Sequence, residues 1–284
     1  MLSPYLVENR HVAVKRCRHG LFMYNRNDSY IGRSLDLYGQ WCEAEIELLG
    51  QFLRPGDVAV DVGANIGTHT VAFADLVGTT GRVHAFEPQR LLFQMLCGNV
   101  ALNGLDNVVC HQRAVGDRHG EIAVPQLPPA ATSFNFGAVP LGMQAPASEP
   151  ATLMALDELA LQSCRLIKVD AEDMEAQVLT GAARTIQACQ PILYVENDRP
   201  GASKKLAPLL KQLGYHAYWS IFTYFDRHNF YCNSEDIWPN HAPAANLLCF
   251  STRSNASIPQ AEPFLGEADD WQSAMGRMRK RAQG

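Results

Sequence analysis

The sequence predicts an α/β fold of the Rossmann-like kind, with a mostly parallel seven-stranded sheet, an antiparallel final strand and a small N-terminal hairpin and helix. Three observations carry this expectation. Near-continuous apolar runs at 58–64 (VAVDVGA) and 82–88 (RVHAFEP) flank a helical run at 66–77, and strands buried on both faces that alternate with helices build a parallel sheet. A glycine-rich turn, DVGANIG at 61–67, joins the first strand to its helix, at the crevice where such sheets bind ligands. The last two strands, 216–225 and 245–251, have no helix between them, which calls for an antiparallel end to the sheet.

From the N-terminus, 11–27 reads as two short strands meeting near His19 and Gly20. A helix carried by Trp41, Ala44, Ile46, Leu48, Leu49, Phe52 and Leu53 stops at Pro55-Gly56. After the first βαβ unit come a helix at 90–103, a strand at 107–115 and a hairpin strand near 121–124. The stretch 125–150 holds six prolines among Ala, Gly and Ser, too punctuated for a simple connector, and is expected as a lid over a site or an insertion. A strand at 165–172, a helix at 174–189, a strand at 191–198 and a helix at 204–214 with a glycine cap follow. Residues 268–282 form a terminal helix, frayed, or a solvated tail. The chain thus divides into a hairpin-and-helix extension at 1–54, the main domain at 55–252 and a tail at 253–284.

Composition narrows the function classes. Hydrophobic residues make up 47% and charged residues 19%, the balance of a chain that buries a core. A net charge of −5 disfavours nucleic acid as a partner, because phosphate-backbone binders need a basic face. The eight cysteines contain no CxxC pair, so reduced thiols in a cytosol are expected rather than zinc or a disulfide framework. The N-terminus lacks a signal-peptide core, and no run of about 18 apolar residues occurs, so neither secretion nor stable membrane insertion is expected. Partners are expected to be small-molecule or glycan acceptors, with a homodimer left open.

The chemistry concentrates in the glycine-rich turn. Gly63 lets the strand turn sharply, and Gly67 lets the helix start lie close to a ligand. The second strand ends in Glu87-Pro88, and a carboxylate there can accept hydrogen bonds from both hydroxyls of an adenosine ribose. The dinucleotide fingerprint wants a middle glycine where this chain has Asn65, so S-adenosylmethionine, which has no pyrophosphate, fits better than NAD. Asp61 is then placed to act on the cofactor's cationic amino end through water.

Four runs together, DVGANIGTHT at 61–70, FEP at 86–88, KVDAEDMEAQVLTGA at 168–182 and PILYVEND at 191–198, resemble the FkbM family of methyltransferases over roughly residues 38–251. The resemblance implies a class I methyltransferase sheet with S-adenosylmethionine as cofactor. It further implies cofactor contacts from Asp61, Gly63, Asn65 and Gly67, ribose recognition by Glu87, and adenine-flanking positions at Asn103, Ala114 and Val115. Family members often carry glycine where this chain has Asp173.

Methyl transfer to a hydroxyl needs alignment and loss of a proton. Asp170 is the first candidate to orient or deprotonate the acceptor and Glu172 the second, although acids there, with Glu175, could equally cap a helix N-terminus. No metal is expected, while a Mg²⁺ site would have to draw on Glu196, Asn197 and Asp198. Asn197 could read a hydroxyl, and His69 reads as a surface or packing histidine. Acceptor selection is expected from 133–142 with Asn135, and from Trp219, Tyr224, Asn229, Phe230 and Asn246, since aromatic faces and amides suit a polyhydroxylated ligand. The turn at Tyr38 to Trp41, with Glu43, could close over the cofactor. The expected function is S-adenosylmethionine-dependent O-methylation of a sugar, glycan or secondary metabolite. An NAD-linked oxidoreductase, or a binding module that has lost catalysis, is the alternative.

Overall fold

In the computed structural model, residues 5–128, 130, 134–138, 147–238, 243–254, 258 and 260–283 are described. The parts of the expected acceptor loop at 133 and 139–142 lie outside them.

An N-terminal layer comes first. Strands β1 (Val7–Glu8), β2 (Val12–Cys17) and β3 (Gly20–Asn25) form an antiparallel sheet. The hairpin is closed by two residues, since Cys17 pairs with Gly20, and Gly20 takes a φ of 128° there. Helix α1 (Ile31–Tyr38) was not foreseen. Two residues ahead of its N-cap, Asp28 Oδ2 accepts the Gly32 N–H at 2.8 Å, satisfying one of the amides that a helix start leaves without a partner. Helix α2 (Glu43–Gly50) follows.

The main sheet is built from β4 (Val58–Val62), α3 (Thr68–Val77), β5 (Arg82–Phe86), α4 (Arg90–Leu102) and β6 (Val108–His111). The chain then leaves it for a small three-stranded sheet of β7 (Ala114–Gly116), β8 (Gly120–Pro125) and β9 (Ser148–Ala155). It returns through β10 (Leu166–Val169), α5 (Glu175–Gly181), α6 (Ala183–Cys189), β11 (Ile192–Glu196), α7 (Ala202–Leu213), β12 (Tyr215–Phe222) and β13 (Ala244–Ser251). A short strand β14 (Glu262–Pro263) and helix α8 (Trp271–Gln283) end the chain.

The strand order is β14-β12-β13-β11-β10-β4-β5-β6. From β11 to β6 neighbours are parallel, and β13 runs antiparallel between β11 and β12. This is the expected seven-stranded class I arrangement, with β14 added as an eighth strand at the β12 edge. All of β10 is buried, because helices cover both faces of the sheet. One core layer gathers Val60, Ile167, Leu193 and Leu247, and the opposite one Ala59, Leu166, Tyr194 and Leu248, the inward and outward sets of the same strands.

Four expectations change. The single strand at 107–115 splits into β6 and β7, in different sheets, at a tight turn where the Arg113 N–H reaches His111 O. The stretch 125–150 ends in β9, whose Pro150 pairs only with β8 while the β7 side begins at Leu153, so its missing N–H costs no ladder bond there. The helix at 174–189 breaks at Ala182, beside Gly181, where a Cβ would stand 1.9 Å from Gly116 O. The terminal helix is docked rather than frayed: Arg277 binds Asp269 at 2.8 and 2.9 Å and, with Arg281, also pairs with Glu262. Among the described residues no helix is long and apolar enough to cross a membrane, and all eight cysteines are free thiols.

Candidate active site

A cleft opens at the carboxyl ends of β4, β5, β10 and β11, roofed by α1, α2 and the 134–138 loop. Toward β5 and β6 its wall includes Gly63, Asn65, Glu87, Pro88, Ala114, Val115, Asn135 and Phe136. Toward β11 and β13 it includes Trp41, Glu45, His69, Lys168, Asp170, Glu172, Glu196, Asp198, Arg199, Tyr224 and Asn246.

The backbone of the glycine-rich turn explains its composition. Gly63 has a φ of 75°, and a Cβ there would stand 1.7 Å from Asp170 O, so no side chain is tolerated between β4 and β10. Asn65 is also left-handed, with φ 51°, a conformation asparagine accepts more readily than most residues. Its side-chain oxygen receives the Ile66 N–H at 2.9 Å.

Glu87 is 5% exposed. Its Oε1 accepts the Gln89 N–H at 2.8 Å and its Oε2 the Asn65 N–H at 2.9 Å. Each oxygen keeps one lone-pair direction free, the geometry that receives two neighbouring hydroxyls of one sugar. Burial, with added repulsion from Asp170 and Asp61, pushes its carboxyl up to about 7.

Asp61, expected to act on the cofactor through water, is fully buried and is not among the residues that line the cleft. Its carboxylate takes the Thr70 hydroxyl at 2.7 Å and the Lys168 ammonium at 3.2 Å. Lys168 in turn lies 3.7 Å from Asp170 Oδ2 and 3.5 Å from Gly63 O. Burial works against that ammonium, but Asp61 and Asp170 outweigh it and hold its pKa above the ordinary lysine value.

After β10 the chain runs through two left-handed residues, Glu172 (φ 52°) and Asp173 (φ 78°). The glycine usual in the family would sit at the second without strain. Glu175 stabilises this loop, its Oε1 accepting the Ala171 and Asp173 N–H groups at 3.1 Å each, which ties the turn to the start of α5. Glu172 pairs with Arg199, and burial with Asp170 nearby raises it to about 8. Glu196 is likewise raised, by burial first and by Asp170, Asp198, Glu172 and Glu175.

Among the expected site residues, Gly63, Asn65, Glu87, Ala114, Val115, Asn135, Asp170, Glu172, Tyr224 and Asn246 line the cleft. Asn135 also turns its own loop, its Oδ1 receiving the Gly137 N–H at 3.0 Å. Besides Asp61, Tyr38 and Glu43, six others do not line it. Gly67 is packed under Leu96. Asn103 holds the hairpin, exchanging bonds of 2.8 Å with the Leu21 N–H and C=O. Asn197 donates to Ser203 Oγ at 2.9 Å, and Asn229 donates to Asp226 O and Asn233 O. Trp219 is buried edge-on against Phe264, its indole N–H on Asp269 Oδ2 at 2.8 Å. Phe230 is 41% exposed near Gly39. For Asn103, Asn197, Asn229 and Trp219 a nearby backbone or side-chain partner claims the polar group.

Sequence reasoning missed Lys168, Glu45, His69, Arg199 and the Tyr30 ring as wall residues, while Trp41, from the turn expected to close over the cofactor, does line the cleft. Trp41 stacks on Tyr224 at 5.0 Å, and Tyr30 stands edge-on to the same ring at 6.1 Å. Two signals were available: acids within the apolar run of α2 and a lone amide, Asn246, within the apolar strand β13. Both mark polar groups facing a shared interior. Among the described residues no group of three or more His, Cys, Asp or Glu is arranged to hold a metal ion.

The family model for the methyltransferase FkbM domain matches residues 61–217. A curated relative, 31-O-demethyl-FK506 methyltransferase FkbM of Streptomyces tacrolimicus, is 40% identical over 87 residues, 31% of this chain and 33% of that protein. The alignment therefore spans about a third of that relative's length. A solved methyltransferase FkbM from Methylobacillus flagellatus is similar at 18% identity, over 72% of this chain and 50% of that one, with a TM-score of 0.43. The solved structure of a putative rRNA-methylase from Clostridium thermocellum is similar at 15% identity, over 75% of this chain and 95% of that one, with a TM-score of 0.46. The family match covers more than half of the chain, from the strand that carries Asp61 to β12, and the chain belongs to the FkbM methyltransferase family.

Proposed function

We propose that this protein is an S-adenosylmethionine-dependent methyltransferase that methylates a hydroxyl of a sugar, glycan or secondary metabolite. The observation that carries the reading is Glu87, a buried carboxylate fixed by two backbone amides with one free lone-pair direction left on each oxygen. Beside it, Phe86, Ala114, Val115 and Phe136 give an apolar slot for a flat base. When bound, the cofactor supplies an electrophilic methyl group with a good leaving group behind it. The chain's own residues then bind and align. Gly63 and Asn65 shape the turn beside the ligand, and Asp61 acts through Lys168 to hold that turn and Asp170 in register.

Asp170 is the group assigned to orient the acceptor hydroxyl, because its carboxylate stands in the cleft beside Lys168. Glu172 pairs with Arg199 and shapes the adjoining wall. The Trp41 and Tyr224 faces with Asn135 and Asn246 suit a polyhydroxylated acceptor, since rings pack on C–H surfaces and amides read hydroxyls. The name of the Streptomyces tacrolimicus relative makes 31-O-demethyl-FK506 its acceptor, which supports oxygen as the methylated atom. Eight free thiols agree with a reducing compartment, and the cytosol is the proposed location.

Calorimetric titration with S-adenosylmethionine, S-adenosylhomocysteine and NAD, followed by transfer of an isotope-labelled methyl group to a panel of sugars, phenols and macrocyclic alcohols, tests the reading. Binding of the adenosyl ligands with label on an acceptor oxygen is expected. Binding of NAD in their place overturns it. Adenosyl binding without transfer to any acceptor favours a binding module that has lost catalysis.

A further inference from the structure

The acceptor half of the cleft contains a histidine that none of the roles above uses. His69 stands in the first turn of α3 and lines the cleft while only 6% exposed. Its Nε2 lies 3.3 Å from Glu45 Oε2, yet is buried without an aligned hydrogen bond. Glu45 is itself buried, on α2, and its Oε1 receives the Asn246 amide from β13 at 2.9 Å. Three elements remote in sequence therefore bring an amide, a carboxylate and an imidazole into a row on the cleft wall.

A histidine kept only for packing normally has its buried nitrogens satisfied. Here Nε2 has a carboxylate within reach, and Nδ1 makes no hydrogen bond among the described residues. A carboxylate behind an imidazole fixes which nitrogen carries the proton and steadies the imidazolium once it forms.

Building on the O-methyl-transfer reading of this cleft, we infer that His69 is the proton acceptor for the acceptor hydroxyl, with Glu45 setting its tautomer and Asn246 holding Glu45 in place. With the proton on Nε2, toward Glu45, Nδ1 carries the basic lone pair. In the step, the hydroxyl O–H bond breaks and its proton passes to Nδ1. The oxygen lone pair bonds to the methyl carbon as the carbon–sulfur pair returns to sulfur. The imidazolium, facing the Glu45 carboxylate, gives its proton to water after the product leaves. Asp170 keeps its orienting role through a neighbouring hydroxyl of the acceptor, because the reacting hydroxyl has a single proton and gives it to Nδ1.

The test is the protonation state of His69, read by nitrogen chemical shifts in full-length protein with ¹⁵N-labelled histidine and S-adenosylhomocysteine added at neutral pH, the resonance being assigned with His69→Gln. A neutral ring with its proton on Nε2 is expected, and Glu45→Gln should shift the population toward the Nδ1–H form. An imidazolium, or an Nδ1–H ring in the wild type, overturns the inference, since neither leaves a free base for the acceptor. With any acceptor found by the transfer panel, His69→Ala should lower kcat by about 10²–10⁴-fold, with affinity for S-adenosylhomocysteine within about twofold of wild type. Near-normal kcat with normal binding also overturns it. Failure of the wild type to bind S-adenosylhomocysteine appears separately in calorimetry, and would count against the underlying reading.

Discussion

Lys168 and Asp61 face each other across the parallel pairing of β10 and β4, and the ammonium lies 3.2 Å from Asp61 Oδ1 with both side chains buried. This buried pair links the strand that carries the glycine-rich turn to the strand that carries Asp170. Removing one partner leaves an uncompensated interior charge. Lys168→Met is expected to destabilise the fold by about 3–5 kcal/mol, read from urea denaturation. Asp61→Asn combined with Lys168→Met should recover much of that loss, and a double variant no better than Lys168→Met would show that the pair is not the cause.

Glu87 gives a pH signature. Its carboxyl is raised from 4.5 to about 7 in the folded protein. The folded state therefore binds more protons than the unfolded state between those values, and stability falls as pH rises across that window. Without ligand, wild type should lose stability relative to Glu87→Gln from about pH 4.5 to about pH 7, with no further relative change above. Chemical denaturation at several pH values reads this, and a flat difference would place the group outside its buried environment.

The same shift predicts how ligand affinity varies. Hydroxyls donating to Glu87 favour its charged form, so S-adenosylhomocysteine should bind more tightly as pH rises toward 7, and below that pH should release protons in doing so. Calorimetry in buffers of different ionisation enthalpy separates the two quantities. Affinity that weakens with rising pH across this range would contradict the role given to Glu87.

Asp173 sits at φ 78°, where a Cβ is strained by roughly 1–2 kcal/mol. Its pair with Lys205, 2.9 Å long, is solvent-exposed and contributes little. Asp173→Gly should raise stability by about 0.5–1 kcal/mol, after the added unfolded-state freedom of glycine is subtracted. A lower melting temperature would mean that the aspartate holds the loop by other means.

Asn103 is expected to matter for the hairpin and not for the ligand. Asn103→Ala removes bonds to both the N–H and the C=O of Leu21, and should cost about 1–3 kcal/mol while leaving affinity for S-adenosylhomocysteine unchanged. A marked loss of affinity at full stability would return this residue to the ligand site.

The parts of the fold that were legible in the sequence are those whose pattern is local. Strands β4, β5, β10 and β11 are apolar on both faces, and the 61–67 turn needs glycine at 63 because the Asp170 carbonyl lies against it. Helix α1 went unseen because it is only eight residues long, with glycine and serine among its buried positions. Strand β9 was hidden by Pro150, which only its partial pairing permits. The acceptor wall was least legible because it is assembled from α1, α2, α3, β10, β11 and β13. Glu45, His69 and Asn246 become neighbours only when the N-terminal layer closes over the sheet. Trp219 and Asn229 have the right chemistry for a sugar site, but their polar atoms are taken by Asp269 and by the loop at 226–233.

A crystal structure with S-adenosylhomocysteine tests the central claim most directly. The account predicts the two ribose hydroxyls on Glu87 Oε1 and Oε2, the base against Ala114 and Val115, and the sulfur facing Asp170 and His69. A ligand bound elsewhere, or a ribose that leaves Glu87 without contact, would contradict it.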